Sequence, residues 1–164
     1  MSKTIKMTLD TKSIVNAINE LNDYQSWLHK KANELAKRLA DMGSVNVSLG
    51  YSRAIYTGPK DTEVTVEDRG DSTYAIVASG ETVLILEFGA GVTYGSGHPQ
   101  ADEFGYGPGT YPGQTHAMDP RGWYLPKEKG GGHTYGNAPS MTMYQTAKDL
   151  REDLERIARE VFSS

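Results

Sequence analysis

Between Thr11 and Met42 the chain reads TKSIVNAINELNDYQSWLHKKANELAKRLADM, with no glycine or proline inside it. Ile14, Ile18, Leu21, Leu28, Ala32, Leu35, Leu39 and Met42 recur at steps of three and four, interrupted only by Gln25. That is the spacing of an amphipathic helix. Asp10 or Thr11 supplies an N-cap, and Gly43 stands where a left-handed C-cap belongs. Such a helix would be about 48 Å long at 1.5 Å per residue, against a radius of gyration of about 15 Å for a compact domain of this size. It must bend, break into two helices near Asn22 and Asp23, or overhang and meet a neighbouring subunit.

Working outward, residues 3–9 alternate polar and apolar with Ile5, Met7 and Leu9 on one face, which predicts a half-buried strand. On the other side, Val45, Val47, Leu49 and Tyr51 alternate with Asn46, Ser48 and Gly50 and predict a second strand, running as far as Tyr56 before the Gly58-Pro59 turn. Residues 62–67 and 73–78 are rich in β-branched and aromatic residues and predict two more. Connections this short favour antiparallel pairing. The run 82–88, Thr-Val-Leu-Ile-Leu-Glu-Phe, fits a buried strand or a short helix, with strand preferred. Met143, Ala147, Leu150, Leu154, Ile157 and Val161 mark a C-terminal amphipathic helix starting near Pro139 and Ser140, its outer face mixing acids and bases as a solvated face does. The expected fold is a single α+β domain over 1–164: an antiparallel sheet packed by a long N-terminal helix and a C-terminal helix, with an extended insertion at 92–135.

That insertion lies in a stretch, 89–136, holding 13 of the 18 glycines and five of the seven prolines. Little regular structure can form on such a chain, yet it carries Tyr94, Phe104, Tyr106, Tyr111, Trp123, Tyr124 and Tyr135. Solvated linkers are poor in aromatics. These seven residues are therefore the candidate partner or subunit interface, because Tyr and Trp bury large area at low rotamer cost. The alternative is a lobe packed back on its own sheet. In either case the conventional core, with Ile18, Leu28, Leu35, Leu154 and Val161, is expected in the helices and sheet, and partner recognition in the insertion.

Composition removes several function classes. With no cysteine, the chain has no disulfide, thiolate nucleophile or cysteine-held zinc, as expected of a protein folded in a reducing cytosol. The opening residues Met1 to Lys6 lack the apolar run of a signal peptide, and no run approaches the length of a membrane span. A formal charge of −4 offers no field for gripping a phosphate backbone, though DNA could pass such a surface without sticking. Gly89-Ala90-Gly91 follows an apolar run, but Tyr94 occupies the third glycine position of a dinucleotide fingerprint. His98, Asp102, His116, Asp119 and His133 are competent metal ligands whose spacing fits no compact site, and His29 reads as a surface or subunit-contact residue. Glu87, an acid in an apolar run, needs pairing; the backbone amides of the following Gly89-Ala90-Gly91 turn are its expected partners. No catalytic residue, metal ligand or cofactor is expected. A metal-assisted hydrolase using the loop histidines is the competing reading from another class.

One set of motifs points to a family. Leu86-Glu87-Phe88-Gly89-Ala90-Gly91, Gly109-Thr110-Tyr111-Pro112-Gly113-Gln114, Asp119-Pro120-Arg121-Gly122-Trp123-Tyr124, and Tyr135-Gly136-Asn137 leading to Met143-Tyr144 and an amphipathic tail resemble the neck, or head-to-tail joining and tail-completion, proteins of long-tailed bacteriophages and prophages. The resemblance implies a non-enzymatic virion protein made in the host bacterial cytoplasm. It implies a homo-oligomeric ring, six-fold on the tail side, between the head-closure proteins and the tail tube, with DNA only passing through and no membrane contact. A tail terminator capping the tube is the alternative within that class. The Glu87, Phe88, Gly89 and Gly91 turn is then a structural motif.

Overall fold

The computed structural model describes residues 4–56, 58–91, 97–105 and 118–163. It is a mixed helix and sheet fold. Helix α1 spans Thr11–Arg53, strands β1 (Glu63–Asp68) and β2 (Tyr74–Ser79) form an antiparallel hairpin, and α2 (Val83–Phe88) follows. A second small hairpin pairs β3 (Trp123–Tyr124) with β4 (His133–Thr134), and α3 (Thr142–Ser163) packs on α1. Among the described residues no helix is long and apolar enough to cross a membrane.

Helix α1 is unbroken for 43 residues, about 64 Å at 1.5 Å per residue. The possible break near Asn22 and Asp23 does not occur. Asp10 is the N-cap, accepting from the Ser13 amide at 2.9 Å. Its carboxyl is held below the usual range, first by the Thr8 hydroxyl and then by that amide. The helix does not stop at Gly43, and the strand expected at 45–56 is helical as far as Arg53. Val-Asn-Val-Ser-Leu-Gly-Tyr satisfies a two-residue alternation, but Ala40, Gly43, Val47 and Tyr51 also follow the three-and-four spacing, and in this half of the helix these four are the ones buried. Gly43 is a packing notch rather than a cap: a Cβ there would overlap the Ile76 and Leu150 side chains.

The strand expected at 3–9 is absent over the described residues 4–9, where no neighbouring strand offers a ladder and Leu9 is open to solvent. The β1–β2 hairpin appears one residue later than the sequence places it, in the register Val64↔Ala78 and Val66↔Ile76. Val64, Ile76 and Ala78 pack with Val47, Tyr51 and Leu86 in a core at the C-terminal end of α1. Fully burying a Leu such as Leu86 is worth about 1.5–3 kcal/mol. The segment 82–88 resolves against strand. Asp61 reaches across to accept from the Glu81 amide at 2.6 Å, the Thr82 amide at 2.9 Å and the Thr82 hydroxyl at 2.5 Å, fixing the turn that starts α2. The Thr82 hydroxyl, then the two amides, hold the Asp61 carboxyl down at about 2.

Helix α3 runs antiparallel to α1. Thr142 lies against Gly50, Leu150 against Gly43, and Phe162 stacks edge-on to Trp27 with ring centroids 5.8 Å apart. Its buried residues are Thr142, Thr146, Ile157 and Val161: the last two lie on the expected stripe, whereas in the first turns burial falls one residue before Met143 and Ala147, and Leu154 is exposed. Of the expected core residues Ile18, Leu28, Leu35, Leu154 and Val161, only Val161 is buried. Leu35 is half-buried, and Ile18 and Leu28 are exposed.

Candidate functional site

The first site is the Glu87 carboxylate. It stands at the end of α2 and is buried, as are its neighbours Leu86 and Phe88. Its Oε2 accepts from the Tyr51 hydroxyl at 3.0 Å and the Met143 amide at 2.9 Å. Its Oε1 accepts from the Tyr144 amide at 3.1 Å and pairs with His98 Nε2 at 3.3 Å. Two of these donors are the first-turn amides of α3, groups that have no acceptor within their own helix. A buried negative charge at a helix N-terminus compensates both them and the helix dipole. Glu87 is thus a cap supplied from another element. The expected partners, amides of the 89–91 turn, are not the ones it takes.

The 89–91 turn has a separate job. Gly89 has φ +78°, and a Cβ on it would stand 2.7 Å from the Asn137 carbonyl and 2.9 Å from Pro139. That close approach lets Ala90 exchange two 2.9 Å backbone hydrogen bonds with Asn137, while the Ser140 amide donates to the Leu86 carbonyl at 2.7 Å. The chain entering α3 is laced to the end of α2, and Met141 is held at φ +52° between them. A left-handed methionine is a strained residue kept only where its surroundings over-determine it.

His98 is the residue whose role the sequence did not disclose. The Gln100 amide donates to its Nδ1 at 3.1 Å, so Nε2 carries the proton and donates to Glu87. Phe88 lies 4.4 Å and Tyr144 5.5 Å from its ring, centroid to centroid. With His98 at 4% exposure and Ala101 also buried, the segment 97–101 turns these two side chains into the interior while Gly97 and Pro99 stay exposed. This corrects the separation of an insertion for partners from a core for stability. Burial, then the Glu87 charge and its hydrogen bond, raise the Tyr51 phenol far above its ordinary range, so it stays a donor. A groove of about 500 Å³ runs beside the cluster, between Leu84, Phe104 and Met143.

The seven aromatic candidates divide. Tyr94, Tyr106 and Tyr111 lie outside the described residues, as does His116. Phe104 packs on Phe88 at 5.6 Å, and Trp123 is half-buried. Tyr124 and Tyr135 are exposed and flank His133 at 5.0 and 4.8 Å, an open aromatic ladder on the β3–β4 hairpin. Among the described residues no group of three or more His, Asp or Glu side chains is placed to hold a metal. His98, Asp102, Asp119 and His133 are not brought together.

The second site is the N-terminal part of α1. Ile14, Val15, Ile18, Leu21, Tyr24, Trp27 and Leu28 are all exposed, Ile18 by 51% and Leu21 by 55%. A run of exposed apolar side chains this long on one element is a candidate contact surface. The signal was present in the sequence as the three-and-four spacing, which placed Ile18 and Leu28 in the core and left an overhang toward a neighbouring subunit as an alternative, because periodicity does not say how long the covering element is. No protein-family model, curated protein or solved structure matches the chain.

Proposed function

We propose that the chain is a non-enzymatic structural subunit of a phage head-to-tail joint, assembling into a ring, six-fold on the tail side, between head-closure proteins and the tail tube. The observation that carries this reading is the bare apolar length of α1, which an assembly contact would cover. The state of Glu87 supports it. A general base needs a lone pair facing a substrate, and each oxygen of this carboxylate already serves two donors. The formal charge of −4 suits a channel wall that DNA passes without adhering. The open Tyr124, His133 and Tyr135 ladder offers a second contact, to the tube, the head-closure ring or the adjacent subunit.

The test is to disrupt this gene in the phage or prophage that carries it and to examine the particles by electron microscopy. Filled heads and separate tails are the expected outcome. Joined particles of normal infectivity overturn the reading. Tails of uncontrolled length assign the chain to the tube terminus instead.

A further inference from the structure

The bare part of α1 continues a seam that α3 covers only in part. The positions Ile14, Ile18, Leu21, Gln25, Leu28, Ala32, Leu35, Leu39 and Met42 keep a strict alternation of four and three, the two apolar positions of a heptad. Above Leu28 that side of the helix is progressively covered, Ala32, Leu35, Leu39 and Met42 all being half-buried. Helix α3 ends at the level of Trp27, where Phe162 meets it, and from Leu28 down to Ile14 the seam is open.

We propose that a second copy of α1 fills this open length in the free protein, lying antiparallel so that it takes over the seam where α3 stops. Two antiparallel heptad helices bring the first apolar position of one against the second of the other. The register that uses the whole open length sets Ile18 against Leu21 and Ile14 against Gln25 of the other copy, with residue 11 opposite residue 28. The incoming helix then runs in the same direction as α3, and its N-terminus begins where the C-terminus of α3 ends. The opposite partial charges of those two helix ends meet.

Charge permits the pairing. The positions flanking the open seam are the exposed Val15, Asn22 and Tyr24 and the buried Ala17, all uncharged, while Lys12, Glu20 and Asp23 lie on the other faces. A second copy therefore meets no like charge, the condition that heptad helices use to select partners. Gln25, the single polar residue in the seam, weakens the pair and leaves it exchangeable. The contact is self-complementary and closes as a two-fold dimer, whereas a ring needs a head-to-tail contact. The dimer is thus a state of the free subunit that occupies the same surface as the proposed joint contact, and it opens before that surface meets another chain.

Because the chain has no cysteine, an introduced cysteine is its only thiol. Ile14→Cys and Gln25→Cys are prepared separately in the full chain, checked by thermal melting, and oxidised alone and as a mixture. In the proposed register identical sites are 11 residues apart along the axis, about 16 Å, beyond the 4.4–6.8 Å that a disulfide spans between Cα atoms. The mixture is expected to yield mostly covalent dimer, and each variant alone little. Strong cross-linking of either variant alone shows a parallel pair and overturns the proposal, and so does a mixture that stays monomeric. Asp23→Cys on the far face is the control; if it cross-links as readily as the mixture, the contact is not the seam.

Discussion

From Ala40 to Tyr51, α1 buries Ala40, Gly43, Val47 and Tyr51 beneath the hairpin, α2 and α3, whereas between Ile14 and Leu28 its large apolar residues face solvent and only the small Ala17 is buried. The heptad spacing runs without a break from Ile14 to Met42, across the boundary between the two regions. What differs is the length of the elements that lie on them: α3 has 22 residues and α1 has 43. A periodic stripe specifies that a face wants covering, and the rest of the chain decides how much of it is covered at home. The uncovered remainder is the surface on which the assembly reading rests.

Removing the tie between the two long helices should have the largest effect. Glu87→Ala leaves the Tyr144 amide, the Met143 amide, the Tyr51 hydroxyl and His98 without their shared acceptor, and breaking a buried charged network of this kind costs about 3–5 kcal/mol. Chemical denaturation should show that loss as a lower midpoint with α1 residues 14–28 as solvent-exposed as before. A loss below about 1 kcal/mol would mean that the cap is dispensable and the covered end of α1 is held mainly by apolar packing.

A smaller effect comes from trimming one side chain on each side of the boundary. Ile157→Ala, at a buried site on α3, should cost about 2–5 kcal/mol. Ile18→Ala, in the open region, should change the stability of the monomer by less than about 0.5 kcal/mol. Thermal melting at low concentration compares them, and equal losses would erase the distinction between the two regions.

The smallest effect is at acid pH. Asp61 has a folded pKa lowered to about 2 from 3.8, so its contribution is complete above about pH 4 and is lost as the pH falls toward 2. Asp61→Asn should be less stable than the parent at pH 6, with the difference shrinking between pH 4 and 2. A difference that stays constant over that range would show that the charge of Asp61 plays no part in fixing the start of α2.

Much of this was legible in the residues, and the failures have definite causes. Asp10 as a cap, the β1–β2 hairpin and the position of α3 all follow from short-range chemistry. The stretch 45–51 misled because its β-branched alternation and its four-residue spacing coexist, and the choice was made by tertiary contacts to Ile76 and Leu150 at the Gly43 notch. Segment 82–88 misled because periodicity cannot resolve so short a run, and the Asp61 carboxylate that fixes it lies 21 residues before Thr82. Glu87 announced its need for partners, yet two of them are amides 56 and 57 residues later, and His98 carried no local sign of burial. The aromatic residues of the insertion were visible, but only the structure shows that Phe104, itself exposed, rests on Phe88 while Tyr124 stands 79% exposed beside His133.

Amide hydrogen exchange across α1, measured at low and at high protein concentration, tests the central claim most directly. Amides of residues 40–51 should exchange slowly and at the same rate in both samples, because this chain alone covers them. Amides of residues 14–28 should exchange faster when dilute and slow markedly when concentrated, as a second chain covers the seam. Residues 14–28 as protected as 40–51 in the dilute sample would contradict the account, and so would exchange in that segment that ignores concentration.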